Sequence, residues 1–154
     1  MKNPLVIAAD KARRAYWVVA RPISVGVLGV VLDDEGRILL VEQTYRSGWY
    51  LPGGGVRKKE PLDEALRREL REEVGVEPTE PPRLHGLYWN FAESKSDYVV
   101  VFIVERWSRK PARSIEIADS RFFAPGELPE DTSPAARRRV AELTSGAKNV
   151  VAEW

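Results

Sequence analysis

Three stretches of this chain carry apolar residues at helical spacing. In residues 62–74 apolar side chains recur every three or four positions, with Pro61 before them and Gly75 after them. Proline in the first turn and glycine just past the end are typical boundaries of a helix. Residues 4–19 and 133–143 show similar spacing. The pattern therefore predicts a well-bounded central helix, a basic amphipathic helix near the start and a final helix.

Runs of β-branched and aromatic residues between these helices predict strands. They occupy residues 23–32, 37–42, 83–91, 98–107 and 121–124. The acidic turn that ends in Gly36 lies between the first two runs and predicts that they form a β-hairpin. Strands before, between and after helices predict one α/β domain over residues 1–154, with a helical extension at 1–21 and a tail at 146–154.

Composition narrows the range of functions. Hydrophobic residues make up 44% of the 154 residues, so the chain can fold around a core, and the formal net charge is +1. A chain so balanced has no extended basic surface for nucleic acid. Cysteine is absent, which excludes disulfides, cysteine zinc sites and thiol nucleophiles. The apolar runs are shorter than a membrane helix or a signal peptide requires, so we expect a cytoplasmic protein without membrane contact.

The central helix breaks its own pattern at three glutamates. At about 100° per residue, Glu69 and Glu73 fall on the apolar side of the helix and Glu72 at its edge. Burying an unpaired carboxylate is costly, and Glu69 and Glu73 repel each other across one helical turn. An acidic helix face that is simply solvated is the alternative interpretation. Grouped carboxylates suit hard divalent cations, so we predict an Mg²⁺ site here, with Mn²⁺ as the second choice.

Three consecutive glycines, Gly53 to Gly55, precede this helix. Glycine lets the backbone come close to a ligand and adopt positive φ, and glycine-rich loops before helices cradle phosphates. A glycine triplet alone indicates only a turn. Because this one stands directly before a helix with clustered carboxylates, it favours a phosphate or metal site.

The loop and the helix together resemble a family motif at every fixed position. The 23-residue Nudix box is matched, in order and at its usual spacing, by Gly54, Glu60, Arg68-Glu69-Leu70, Glu72-Glu73 and Gly75-Val76. The lead-in that begins at Trp49 and the aromatic and proline-containing segment at 122–129 also resemble this family. The resemblance covers roughly residues 22–143, and the chain is identified as a member of the Nudix hydrolases.

The resemblance implies an α/β/α sandwich with a mixed β-sheet. It also implies Mg²⁺-dependent hydrolysis of a small-molecule nucleotide, a nucleoside diphosphate linked to another group, X. The alternative is a module on the same fold that binds or senses a nucleotide without hydrolysing it. The marks of the subgroups that act on ADP-ribose, dinucleoside polyphosphates and NADH are absent downstream of the box, so the resemblance leaves X open.

Individual residues receive roles from the same resemblance. The implied metal ligands are Glu69, Glu72, Glu73 and the carbonyl oxygen of Gly53. Arg68 resembles the residue that orients a catalytic glutamate, here Glu69, through a charge-assisted hydrogen bond. Glu60 and Gly54 are expected to support the junction between the loop and the helix.

The motif does not fix the residue that accepts the proton from water, and the resemblance implies that it often comes from a loop outside the motif. Glu93, Asp97 and Glu116 are the acidic candidates in loops between predicted strands. Ile115 and Ile117 flank Glu116, and this alternation would turn its carboxylate away from the core and towards the cleft. We therefore predict that Glu116 is an auxiliary metal ligand or base, with Glu93 as the alternative.

Residues elsewhere complete the prediction. Arg46 and Arg21 flank the predicted sheet and are candidates for contacting substrate phosphates. The arginine run at 137–139 on the final helix is expected to be exposed, and His85 to be structural. Apolar residues of the tail are candidates, with the first helix, for a homodimer contact.

Overall fold

The computed structural model describes residues 23–91, 96–112 and 114–154. The strands within these ranges are β1 (Ile23–Val31), β2 (Ile38–Gln43), β3 (Arg46–Tyr50), β4 (Gly53–Gly55), β5 (Val76–Pro78), β6 (Arg83–Asn90), β7 (Ser96–Val104), β8 (Trp107–Arg109), β9 (Ile117–Phe123) and β10 (Val150–Glu153), and the helices are α1 (Leu62–Val74) and α2 (Pro134–Thr144). The central and final helices are therefore confirmed. The predicted helix at 4–19, Arg21 and Glu93 lie outside the described residues.

The strands form two main sheets and one small one. The larger sheet has the order β10-β6-β7-β1-β4 and mixes parallel with antiparallel pairs, while β3-β2-β9 is antiparallel and β5 pairs with β8. The predicted hairpin of the first two strands is wrong, because β1 and β2 lie in different sheets and meet at one isolated bridge, Leu32 with Ile38. Instead β1 pairs along its whole length with β7, from which five strands and α1 separate it in the chain.

Helices cover both faces of this strand layer. Along β2, Leu39 and Val41 belong to the core on the α1 side, whereas Ile38 and Leu40 belong to the core on the α2 side, and all four are fully buried. A strand buried on both faces is typical of a sheet between two helical layers. The fold is thus an α/β/α arrangement with a mixed sheet, as the resemblance implied. Neither described helix has the length and hydrophobicity that crossing a membrane requires.

Part of the tail predicted at 146–154 is a strand. Residues 150–153 form β10, which pairs in parallel with β6 at the edge of the larger sheet. Just beyond it, the Trp154 amide donates to the Trp89 carbonyl at 2.9 Å, and the Trp154 ring meets Tyr88 edge-on. The sequence did not indicate this strand, because pairing with a segment so distant in the chain leaves no local pattern in a short stretch.

The arginine run on α2 is also not uniformly exposed. Arg137 and Arg138 are exposed, but Arg139 is 2% exposed and stacks on Tyr88, with its guanidinium carbon 3.7 Å from the ring centroid. One of its terminal nitrogens donates to Glu142 at 2.8 Å. The expectation of an exposed run is therefore wrong for Arg139, because helical periodicity turns every third or fourth position of α2 towards the sheet. His85, at 1% exposure, lies in the same buried cluster.

Candidate active site

Local sequence sets the position of α1 beneath the glycine loop. Pro61 caps the helix in an extended conformation, and Gly75 ends it in the left-handed region with φ of 69°. On β1, a Cβ at Gly29 would lie 3.3 Å from side-chain carbons of Leu66 and Leu70, so the missing side chain lets α1 approach the sheet closely. The helix therefore presents its glutamates at the edge of the sheet, beside β4.

One open cavity of about 600 Å³ brings the glycine loop and the glutamates together. It is lined by Gln43, Tyr45, Gly53, Gly54, Gly55, Arg57, Arg68, Glu69, Glu72, Glu73, Ser114, Ile115 and Glu116. The lining holds four carboxylates against two guanidinium groups. This surplus of negative charge is the main electrostatic feature of the cavity.

Glu73 lies deepest among these carboxylates. The residue is 8% exposed, and one carboxylate oxygen accepts a hydrogen bond from the Gly53 amide at 2.9 Å. Burial is the main reason why the pKa of Glu73 is raised to about 7, and the nearby charges of Glu69 and Glu116 act in the same direction. The amide of the glycine loop thus holds the carboxylate in place without compensating fully for its desolvation.

An arginine fixes the second carboxylate. The Arg68 guanidinium donates to Glu69, to both carboxylate oxygens of Glu60 at 2.7 and 2.9 Å, and to the Gly55 carbonyl at 3.0 Å. The hydrogen bond from Arg68 is the main cause that lowers the pKa of Glu60 to about 2, and the Arg57 amide adds to it. Arg68 therefore joins the loop to the helix and donates to the carboxylate of Glu69.

The remaining acidic residues stand at the rim. Glu72 has 53% of its side chain exposed, and its carboxylate lies 3.7 Å from Arg68 and 3.9 Å from Arg57. Glu116 is exposed and lines the same cavity from the loop before β9. Ile117 packs against the core as the alternation predicted, but Ile115 is 92% exposed. The structure thus brings Glu116 to the three glutamates of α1.

Arg46 lies beside the cavity and lines a different one. Its guanidinium stacks on Tyr50 at 3.5 Å from the ring centroid and donates from Nε to the carboxamide oxygen of Gln43. The neighbouring cavity, of about 290 Å³, is lined by Leu28, Arg46, Tyr50, Leu51, Ser133, Pro134, Ala135, Ala136, Arg138 and Trp154. Two cavities therefore meet at the pair of Gln43 and Arg46.

The residues of the larger cavity fit a divalent cation. Its donors are carboxylate oxygens, which Mg²⁺ prefers, and a Cβ at Gly54 would lie 2.7 Å from the Glu69 carboxyl carbon, so only glycine leaves room for that group. Among the described residues no three acidic or imidazole groups already converge as a metal-binding cluster. Arg68 and the Gly53 amide hold Glu69 and Glu73 in the present arrangement.

Some lining residues were missed from the sequence. Arg57 follows the glycine triplet closely, and that spacing is a usable signal. Gln43, Tyr45, Ser114 and Ile115 carry no such signal, because they reach the cavity through the pairing of β2 with β9. That pairing places the turn after Gln43 beside a loop from the far half of the chain.

Comparisons with known proteins agree with the geometry. The family model described as NUDIX domain matches residues 21–143. The chain is 29% identical over 125 residues to a putative 8-oxo-dGTP diphosphatase from Bacillus subtilis, covering 81% of this chain and 83% of that protein. An RNA pyrophosphohydrolase from Hydrogenovibrio crunogenus is 39% identical over 51 residues, so this alignment spans 33% of this chain and only 31% of that relative.

A solved structure gives the same result at the level of fold. The MutT NUDIX hydrolase from Burkholderia pseudomallei superposes with a TM-score of 0.69 at 27% identity, over 79% of this chain and 98% of that one. The chain belongs to the Nudix hydrolase family. The family, the fold class and the enzyme class predicted from the sequence are thereby confirmed.

Proposed function

We propose that this protein is a divalent-metal-dependent pyrophosphohydrolase that cleaves a nucleoside diphosphate linked to a further group, X. The observation that carries the proposal is the cavity in which Glu69, Glu72, Glu73 and Glu116 face a three-glycine loop. A surplus of carboxylates repels a bare pyrophosphate, and it suits a pyrophosphate that arrives with Mg²⁺, or with Mn²⁺ as the alternative. The relatives named as an RNA pyrophosphohydrolase and an 8-oxo-dGTP diphosphatase support this class of reaction.

Glu69, Glu72 and Glu73 would hold the metal, and the glycine loop would lie along the phosphates. When bound, the metal offsets phosphate charge and lowers the pKa of a coordinated water. The chain contributes position: Arg68 keeps the Glu69 carboxylate in one orientation, and Glu60 in turn fixes Arg68. The amide of Gly53 holds Glu73 in the same way.

Glu116 is the proposed acceptor of the proton from water. Glu116 lines the same cavity as the α1 carboxylates, so it would share that cavity with a water molecule held there by the metal. Glu116→Gln removes that basicity and keeps the shape of the side chain. We expect kcat to fall by at least tenfold with little change in KM, because the interaction matters mainly in the transition state. Unchanged kcat would exclude Glu116 and leave Glu93 as the candidate.

The smaller cavity supports a site for the nucleoside. Tyr50, Leu51 and Trp154 give it aromatic and apolar surface, and Arg46 and Arg138 give it two cations. Such a mixture suits a heterocyclic base with an adjoining phosphate. Arg46 would then contact substrate as the sequence indicated, from the smaller cavity rather than the larger.

An activity screen tests the proposal. The purified chain is incubated with Mg²⁺ and nucleoside triphosphates, nucleotide sugars, dinucleoside polyphosphates and triphosphorylated RNA, and phosphate-containing products are measured. Hydrolysis of a pyrophosphate linkage that stops on chelation and returns with Mg²⁺ is the expected result. Tight binding of nucleotides without turnover in the whole panel would support the alternative, a sensor module.

A further inference from the structure

One face of the larger sheet is covered only in part. Leu87 on β6 is the register partner of Val100 on β7 and of Val151 on β10, so these three side chains point to the same face. Val100 and its partner on β1, Val27, are buried in the core beneath α1. In contrast, Leu87 is 37% exposed and Val151 is 67% exposed. The described part of the chain therefore covers this face over β1 and leaves it exposed over β6 and β10.

The exposed part of this face is apolar and aromatic. Trp89 follows Leu87 at the next position on the same side of β6, and its register partner is Tyr98. The rings of Phe91 and Tyr98 meet edge-on with centroids 5.9 Å apart, and Phe91 is 54% exposed. None of these side chains belongs to either core cluster of the described residues. We term this surface, which indicates a contact site, the open face: Leu87, Trp89, Phe91, Tyr98 and Val151.

The polypeptide before β1 joins the sheet beside the open face. Ile23, the first residue of β1, pairs with Ser96, which lies two positions before Tyr98 on β7. Ile23 therefore points to the same side as Tyr98, and it is 68% exposed. Residues 1–22 precede it, and they include the amphipathic helix that the sequence predicts at 4–19. Only residues 20–22 separate that segment from the open face.

The dimensions of this segment suit the open face. A helix over residues 4–19 would be about 24 Å long. Between β1 and β10 the sheet is about 14 Å wide, and the exposed stretch of β6 has a similar length. One helix of this size would therefore cover the open face from corner to corner.

The polarity of the segment suits the open face as well. Within about 100° of the helix surface it has small or apolar residues, namely Leu5, Ala8, Ala9, Ala12, Tyr16 and Val19. Lys11, Arg13 and Arg14 fall outside that side. Exposed Glu153 is the register partner of Trp89 on β10 and gives the edge of the open face a negative charge. The apolar side would thus meet the sheet while the cations lie near an acid.

We infer that residues 4–19 dock on the open face as an amphipathic helix within the same chain. The short connection through residues 20–22 gives the segment a high effective concentration at this face, which favours docking within one chain over docking on a second copy. A basic amphipathic helix can also bind an anionic membrane. Both of these alternatives are outcomes of the tests below.

Maleimide labelling of single cysteines tests the docking, because the chain has no cysteine of its own. Leu87→Cys places a thiol on the open face, and Leu62→Cys on α1 is the matched control, since Leu62 is 39% exposed. Adding Ala12→Glu puts a charge on the apolar side of the segment and should speed labelling at Leu87→Cys about tenfold. The same change should leave Leu62→Cys within about twofold, and Arg14→Glu should leave Leu87→Cys within about twofold. An unchanged rate at Leu87→Cys, or equal acceleration at both cysteines, would overturn the inference.

A distance measurement separates docking within one chain from the alternatives. Spin labels at Arg14→Cys and Glu153→Cys in the full chain should give one narrow distance below about 25 Å, because every point of a docked helix lies close to this edge of the sheet. The distance should survive dilution with excess unlabelled protein. Its loss on dilution would assign the segment to a second copy and overturn the inference. A broad distribution in solution, with binding to phosphatidylglycerol vesicles that Ala12→Glu abolishes, would assign it to a membrane and also overturn it.

Discussion

Each of the two helices carries an arginine that is more than nine-tenths buried and paired with glutamate, and the two settings differ in what surrounds the pair. On α1, Arg68 is 8% exposed and holds Glu60 and Glu69 beside an open cavity. On α2, Arg139 is 2% exposed and holds Glu142 beneath aromatic rings. The chemical groups are the same in both clusters, so the clusters differ in solvent access and in the balance of positive and negative charge.

Charge balance separates the two clusters. The α1 cavity holds four carboxylates against two guanidinium groups and opens to solvent. In the α2 cluster one carboxylate, Glu142, accepts from Arg139 at 2.8 Å and from the Tyr88 hydroxyl at 2.7 Å, so charges match and no carboxylate is in excess. An excess of like charge at an open cavity indicates a binding site, whereas a balanced buried pair indicates a structural contact.

The largest effect should come from the excess carboxylates. Glu72→Gln and Glu73→Gln are each expected to lower kcat by about a hundredfold or more, because each removes a charged oxygen from the proposed metal site. Circular dichroism and thermal unfolding should show that both variants stay folded. If either variant kept full Mg²⁺-dependent activity, the excess carboxylates of α1 would not mark a metal site, and this distinction between the two clusters would be wrong.

Breaking the balanced pair should act on stability instead. Arg139→Met leaves the Glu142 carboxylate without its cation, which is expected to cost roughly 2–3 kcal/mol of unfolding free energy and about 5–10 °C in Tm. The activity of the protein that remains folded should change little. Arg138→Met, at the exposed neighbouring position, is the matched control and should leave Tm nearly unchanged. A large loss of kcat at wild-type Tm would contradict the structural role.

Filling the space that Gly54 leaves for the Glu69 carboxylate should lower kcat by a smaller factor. A Cβ at Gly54 would lie 2.7 Å from the carboxyl carbon of Glu69 and must displace it. Gly54→Ala is therefore expected to lower kcat about tenfold, less than removal of a carboxylate, because Glu69 can shift by rotation. At Gly126 nothing lies within 4 Å of the added carbon, so Gly126→Ala is the control. Equal activity of both variants would show that the position of Glu69 is not critical.

The smallest expected effect is on the pH dependence of stability, through the ion pair between Glu60 and Arg68. The pKa of Glu60 lies at about 2 in the folded protein and 4.5 ordinarily, so its contribution to stability is present above pH 4.5 and is lost as pH falls towards 2. Glu60→Gln should therefore lower Tm at neutral pH, and the difference from wild type should close between these values. Thermal unfolding across pH measures this, with exposed Glu64→Gln as control. If the curves of Tm against pH for Glu60→Gln and wild type stay parallel, the ion pair does not contribute to stability.

Local patterns predicted α1 and its site because the relevant residues are neighbours in the chain. Pro61 and Gly75 bound the helix, and one helical turn separates Glu69 from Glu73. The burial of Glu73 also follows from helical periodicity, since its position lies on the apolar side. The metal ligands stay a prediction, but their shared cavity is a feature of the structure.

The sequence pattern did not predict the contacts between segments that are distant in the chain. The pairing of β1 with β7, the docking of β10 on β6 and the burial of Arg139 against Tyr88 each join segments that other strands or helices separate in the chain. The turn at Tyr45 and the loop at Ile115 meet for the same reason, through β2 and β9. Strand patterns show which faces are apolar but not which strand is the partner.

The sequence by itself determined the family motif, the bounds of the central helix and the placement of carboxylates on its inner side, because those properties depend on spacing along one continuous segment. Tertiary structure decided which buried charges are balanced and which are in excess. It also decided that Glu116 joins the three glutamates of α1 and that Trp154 lines the smaller cavity. Those outcomes depend on sheet order, which is set by the packing of both helices against one strand layer.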